Sequence, residues 1–272
     1  MPQAAERQGC RKPRAVICGV FPLVAFVAFL SLAPVTAGAE QLDPETGQLI
    51  VGIAPDWNSM HGKLWRLDRH GAGWEPAGAP VPVLFGKHGL AWGRGEIVGQ
   101  DEGPVKVERD GRAPAGVFRL GTIYTYDESL PAGATYSYHT VGPGDAWVDD
   151  VNNPNYNRHV VVVDPDRAPP WFAKNRMRHG DFAYRWLVEI RHNSDSPTPG
   201  FGSAIFFHIR RGPDRPSAGC TTMAESDLVT LIKWLRADQS PRYVCLPRSE
   251  YLRYWKTWNL PAPSVVGVMG GE

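Results

Sequence analysis

The stretch AIFFHIRRGPDRPSAGCTTMAESDL, residues 204–228, decides how the rest of the chain is read. It opens on AIFFHI, a β-branched and aromatic run of the kind that fills a strand. A Gly/Pro loop follows, and then Cys220 among small residues. Beyond it, AESDLVTLIKWLRAD (224–238) sets Leu228, Leu231, Ile232 and Leu235 on one stripe at helical spacing. Thr222, with Glu225 three residues on, predicts a capping box at the start of that helix. The segment reads as strand, loop, cysteine, helix. Cysteine is scarce, 4 in 272 residues, so a thiol at such a junction calls for an explanation.

Working outward, strand-like runs recur on both sides: 48–53, 63–68, 116–121, 159–164, 184–190, 204–209 and 242–247. Each is rich in β-branched or aromatic residues and bounded by Gly, Pro, Asn or Asp. The 29 glycines and 25 prolines are scattered, which suits short strands joined by turns. In DGRAPAGVF, Gly111 and Gly116 are expected to serve backbone turns. There is no internal repeat and no low-complexity linker. The reading is one mainly β domain over 40–260. In the segment after Pro247, Tyr251, Tyr254, Trp255 and Trp258 are expected to pack back on the domain, and 261–272 to fray.

The N-terminus fixes the compartment. Arg7, Arg11, Lys12 and Arg14 precede an uncharged apolar run, 15–34, and Ala37-Gly38-Ala39 offers small residues for a signal peptidase. This is the pattern of a secretory signal peptide over 1–39, cleaved after Ala39. An uncleaved membrane anchor is the alternative, because the run is just long enough to span. Cys18 is a poor lipoprotein cysteine, since Ile17 precedes it. The expected location is the periplasm or cell envelope. The formal charge is +1, and removing the basic leader leaves about −2. A nucleic-acid partner would favour a basic face instead. Two cysteines remain, Cys220 and Cys245, too few for a disulfide scaffold.

Cys220 is then open to four readings: apolar filler, half of a disulfide with Cys245, metal ligand or nucleophile. A nucleophile needs a lowered thiol pKa, a base, and donors for an oxyanion. The expected helix just beyond Cys220 would favour thiolate. Gly219 and Ala218 let backbone amides approach a developing oxyanion. His208, twelve residues upstream at the end of AIFFHI, is a candidate base. The competing readings are ordinary ones: a lone cysteine is usually a small hydrophobe, and a lone histidine in an apolar strand is usually structural. Cys245, in RYVCLP, reads as core. No metal is expected, as HExxH, CxxC and clustered His/Cys spacing are missing. Nucleotide-binding glycine motifs are missing too.

AIFFHI…PSAGCTTM…DL resembles the signature of the L,D-transpeptidase (YkuD-type) catalytic domain, in which a His precedes a [Ser/Thr]-x-Gly-Cys element. The resemblance extends to GKHGLAWGRG (86–95), GPVKVERDGRAPAGVFRLG (103–121), YNRHV (156–160) and GFGSAIFFHI (200–209), so it covers roughly 48–247. It implies a mainly β fold, a mixed sandwich or barrel with one helix after the cysteine. It implies Cys220 as nucleophile, His208 as the group taking its proton, Ser217 orienting His208 through its backbone carbonyl, and the Gly219 and Cys220 N–H groups holding the oxyanion. The substrate would be a peptidoglycan stem peptide. A thioester would form on Cys220 and an amine would resolve it, with no cofactor.

This sequence departs from the family pattern at two places. Many relatives carry Arg two residues after the Cys, where Thr222 stands, and Gly after the His, where Ile209 stands. Arg210, Arg211 or Arg215 would have to supply the missing guanidinium. Tyr156 and Asn157 are expected to line the cleft. Trp147, Trp171 and Trp186 are expected in the core. His61, His70, His88, His139, His159, His179 and His192 are dispersed and expected at surface or turn positions. Two rivals stand beside the transpeptidase reading. One is an amidase or carboxypeptidase that passes the same thioester to water. The other is a wall-binding module without turnover. The oligomeric state is taken as monomer by default.

Overall fold

The computed structural model describes residues 41–99, 102–177 and 180–268, so the expected leader, 1–39, and His179 lie outside it. The strands are β1 (Gln48–Ala54), β2 (His61–His70), β3 (Gly73–Pro76), β4 (Val81–Leu84), β5 (Leu90–Trp92), β6 (Ala113–Thr125), β7 (Tyr138–Thr140), β8 (Asp145–Trp147), β9 (His159–Val161), β10 (Trp186–Ile190), β11 (Phe206–Ile209), β12 (Thr221–Met223) and β13 (Arg242–Pro247). The helices are α1 (Phe172–Asn175), α2 (Glu225–Trp234) and α3 (Arg248–Tyr254).

The sheet runs β1-β13-β6-β10-β11-β12-β4-β2, and β2 pairs back to β1, which closes it into a barrel. Closure leaves those strands without a free edge. β3 extends β2, while β5 and β7 add to β6. β8 and β9 form a separate two-stranded sheet.

Contacts between strands that are not neighbours identify the lumen. Tyr243 of β13 meets Phe207 of β11 at a ring separation of 4.6 Å. Its hydroxyl lies 3.0 Å from Thr221 Oγ1 of β12. Both contacts cross the barrel, so Phe207, Thr221 and Tyr243 point inward. Gly52 of β1 makes room for that ring, because a Cβ there would fall 2.8 Å from the Tyr243 hydroxyl. By the two-residue period of a strand, Cys245 shares the inner face with Tyr243, whereas Phe206 and His208 face outward with Thr222.

The outer face is also covered, so β1 and β13 are buried along their whole length. α2 buries Leu228, Leu231 and Ile232, and Leu235 just past its end is buried too. Each such side chain contributes about 1.5–3 kcal/mol. Over β6, β10 and β11 a second cluster gathers Tyr124, Leu187 and Phe206 beneath Trp147 and Met177.

Three expectations are corrected here. The helix begins at Glu225, with Ala224 as an N-cap that lacks a side-chain bond. Thr222 lies in β12, its hydroxyl donating to Leu84 O at 3.4 Å, while Glu225 pairs with Arg185 at 3.2 Å. No capping box forms, because residues 221–223 are drawn into the barrel by pairing with β11 and β4. The tail does not fray from Pro261: Val266 and Val268 return to the core. Of 159–164 only the first three residues form a strand, and Val163 is exposed. Both described cysteines are free thiols. Cys245 is fully buried, as expected of a core residue.

Candidate active site

β11 and β12 lie side by side in parallel, with His208 opposite Thr222. Cys220 stands two residues before Thr222 and lines the same cleft as His208. Histidine and cysteine thus line one cleft on the outer face of the barrel, His208 from β11 and Cys220 from the residue before β12. The cleft has a volume of about 460 Å³. Its walls carry charge of both signs, from Lys106, Arg109, Arg211 and Arg215 and from Glu108 and Asp149.

His208 is buried, and its Nδ1 lies 2.9 Å from Ile209 O, to which it donates. That bond fixes the tautomer and leaves Nε2 with the lone pair. Tyr184 packs edge-on to the imidazole at 5.2 Å, and the Arg211 guanidinium covers Tyr184 at 5.1 Å. Arg211 is held by Asp181. Burial pulls the imidazole down to about 4, with the nearby Arg211 charge adding to the effect.

The Cys220 thiol donates to Ala204 O at 3.5 Å. Burial pushes it up to about 11, against smaller lowering effects from the Phe206 backbone and Lys106. The expectation of a lowered thiol is therefore corrected. β12 separates the thiol from the helix start, so the α2 dipole does not reach it. With histidine low and thiol high, both groups rest neutral.

Ser217 organises the cysteine loop. Its Oγ donates to Cys220 O at 2.5 Å and accepts the Gly219 N–H at 3.0 Å. Its carbonyl receives Lys87 N–H at 2.9 Å. His208 Nδ1 bonds Ile209 O and not this carbonyl, which the resemblance had implied. A Cβ on Gly219 would lie 3.0 Å from Arg112 O, so this turn favours glycine by close approach.

Arg211 and Arg215 line the cleft, as does Thr222, which is almost fully buried. Arg210 is absent from the lining, and its backbone extends β11 by bonding Met223 O at 2.8 Å. Tyr156 and Asn157 sit behind the wall. Tyr156 donates to Glu108, which also accepts Ser203 Oγ at 2.9 Å. Asn157, at φ 54°, is a left-handed position that asparagine tolerates. Its Oδ1 accepts Trp147 Nε1 at 3.1 Å and Ala204 N at 3.0 Å, and its Nδ2 donates to His192 O and Asn193 O at 3.0 and 2.8 Å. It sets the backbone whose carbonyl meets Cys220. It is a positioning residue outside the cleft lining, and it acts through Ala204, which lines the cleft.

Sequence reasoning missed Lys106, Glu108, Arg109 and Asp149 as wall residues. The first three stand in KVER, inside a stretch that carried the family resemblance, and this was the available signal. Lys106 is buried against Asp110 at 2.7 Å. Burial raises Asp149, opposed by the Arg109 charge. The histidines are less dispersed than expected. His192 is buried and pulled down to about 3 by that burial, and His139 and His159 come together.

Residues 79–244 match the family model described as the L,D-transpeptidase catalytic domain. No curated protein and no solved structure shows a significant match to the chain.

Proposed function

The chain belongs to the L,D-transpeptidase catalytic-domain family, and from that premise we propose that it is an exported cysteine acyltransferase acting on peptidoglycan stem peptides. The observation that carries the proposal is that Cys220 and His208 line one charged cleft. In the proposed reaction, His208 Nε2 takes the thiol proton as Sγ adds to the stem-peptide carbonyl. The Cys220 N–H donates to the oxyanion, since Ser217 already engages the Gly219 N–H. Collapse expels the terminal D-amino acid, its amine protonated by the imidazolium, and leaves a thioester on Cys220. An incoming amine then attacks the thioester and restores the thiol. The mixed charges of the wall suit a substrate that carries both carboxylates and an amine.

Thr222 favours a second reading. Its side chain is buried, and one cleft guanidinium, Arg211, is committed to Asp181. A weakly held acceptor would let water resolve the thioester, which gives carboxypeptidase or amidase products.

Carbapenem labelling followed by intact-protein mass spectrometry tests the nucleophile. One adduct is expected on the wild type and none on Cys220→Ala, and an undiminished adduct on that variant would sink the assignment. Incubation with disaccharide-tetrapeptides tests the acceptor: cross-linked dimers support transfer, and trimmed monomers support hydrolysis. N-terminal sequencing of the exported protein tests cleavage after Ala39.

A further inference from the structure

Away from the cysteine, three side chains from three short strands converge. His139 comes from β7, Asp145 from β8 and His159 from β9. Their ligand atoms all lie within 4.8 Å of one another. His139 Nε2 is 2.6 Å and His159 Nε2 2.5 Å from the same oxygen, Asp145 Oδ1. The two rings stand 4.9 Å apart at 62° and therefore aim at the carboxylate from different sides.

We propose that His139, Asp145 and His159 form a binding site for one divalent transition-metal ion, with zinc the best match. Two imidazoles and one carboxylate form a nitrogen/oxygen donor set that suits zinc and its neighbours. Calcium and magnesium prefer oxygen alone. The carboxylate is oriented in advance, because its second oxygen accepts the Gly142 N–H at 2.7 Å. Such outer bonds are what hold metal ligands in place. The Asp145 side chain is 5% exposed and His159 19%, whereas His139 is 37% exposed. The site is thus closed below and open on the His139 side, where an ion can enter and solvent can complete four-coordination. Tyr124 floors it, with its ring 5.8 and 4.9 Å from the two imidazoles.

The position of the site gives the ion a task. β8–β9 is hydrogen-bonded as its own sheet, while β7 belongs to the barrel sheet through β6. An ion held by all three strands would staple the hairpin to the barrel. That hairpin carries Trp147, opposite His159 in register. Trp147 bonds Asn157, and Asn157 holds Ala204, the acceptor of the Cys220 thiol. The ion is therefore a structural clamp on the cleft wall and takes no part in the chemistry.

The sequence hid this site. The ligands are 6 and 14 residues apart along the chain, a spacing that matches no helical or loop metal motif.

The test uses the full chain without a histidine tag, stripped with a chelator and titrated with Zn²⁺ against a chromophoric competitor. One equivalent is expected in the wild type. The double variant His139→Ala/His159→Ala should bind at least about 100-fold more weakly, since even outer-shell losses reach that range. Wild-type protein that retains no stoichiometric zinc would overturn the site, as would equal binding by the double variant. X-ray absorption on the zinc-loaded wild type gives a reading that does not depend on how the variants fold. Two imidazoles and oxygen support the site, while sulfur in the shell would assign the ion to Cys220 and refute it.

Discussion

The two faces of the barrel each hold a cysteine, one buried and one half-buried. Cys245 sits inside, sharing its face with Tyr243. Cys220 sits outside, in the cleft that His208 also lines. Burial pushes both thiols up, to about 12 and about 11. Intrinsic acidity therefore does not separate them. The neighbours do: one thiol has a phenol and no base, and the other shares an open cleft with an imidazole. In a strand, one step along the chain moves a side chain from one world to the other.

The sharpest way to break this comparison is to remove each thiol. Cys220→Ser should abolish carbapenem acylation, whereas Cys245→Ala should keep the wild-type rate and lose about 1–2 kcal/mol of stability from the small cavity. Intact mass and thermal melts read both effects. An adduct on Cys245, or loss of acylation in a folded Cys245→Ala protein, would erase the distinction.

Next in size is the base. His208→Gln should slow acylation about 10²–10⁴-fold, the usual worth of a positioned proton acceptor. The pH profile sharpens this expectation. The imidazole is held down to about 4, so the rate should fall on the acid side as pH drops through about 4, below the ordinary histidine range. Stability responds as well. On unfolding, His208 and His192 return to about 6.5, while folded they sit near 4 and 3. Below 6.5 the unfolded chain binds protons that the folded one does not. Stability is therefore full above 6.5 and is lost as pH falls towards those folded values, by up to about 3 kcal/mol for His208 and about 5 kcal/mol for His192. Urea melts between pH 4 and 7 measure it, and a flat profile would count against buried neutral histidines.

Asn157→Ala comes third. It strips partners from Trp147, Ala204, His192 and Asn193 at once. Leaving buried polar groups unpaired should cost about 2–4 kcal/mol. Because Ala204 O orients the thiol, acylation should also slow at saturating carbapenem, by about tenfold for a displaced nucleophile. A variant that is destabilised but acylates at full rate would confine Asn157 to the fold.

The sequence made the barrel strands of high β-propensity legible, with β1 and β13 close to their true bounds. It also made legible the helical stripe of α2 and pointed to Cys220 and His208, which line one cleft. What escaped it was decided across the chain. TTM at 221–223 reads as a helix approach because Thr222 and Glu225 have cap spacing. It becomes a strand because β11 and β4 flank it on both sides. Val266 and Val268 carry no periodic signal in a Gly-rich tail, yet they find the core. Barrel closure depends on β1 meeting β2 and β13 together, which no local pattern reveals. The cleft wall escaped for the same reason: Asp149 faces Arg109 only after the hairpin folds over.

The smallest effect isolates the parity of the strand itself. Thr221 is bonded to Cys220, yet its side chain lies across the wall of the barrel, with Oγ1 at 3.0 Å from the Tyr243 hydroxyl. Thr221→Val keeps the shape and deletes that one bond, so it should cost about 1 kcal/mol, the net worth of a buried hydrogen bond. The acylation rate should stay within error of wild type, because the lost hydroxyl faces the lumen and the cleft does not see it. A clear drop in rate would mean that the lumen and the cleft are mechanically coupled through β12. In that case the contrast between the two cysteines would have to be drawn at the level of whole strands rather than faces.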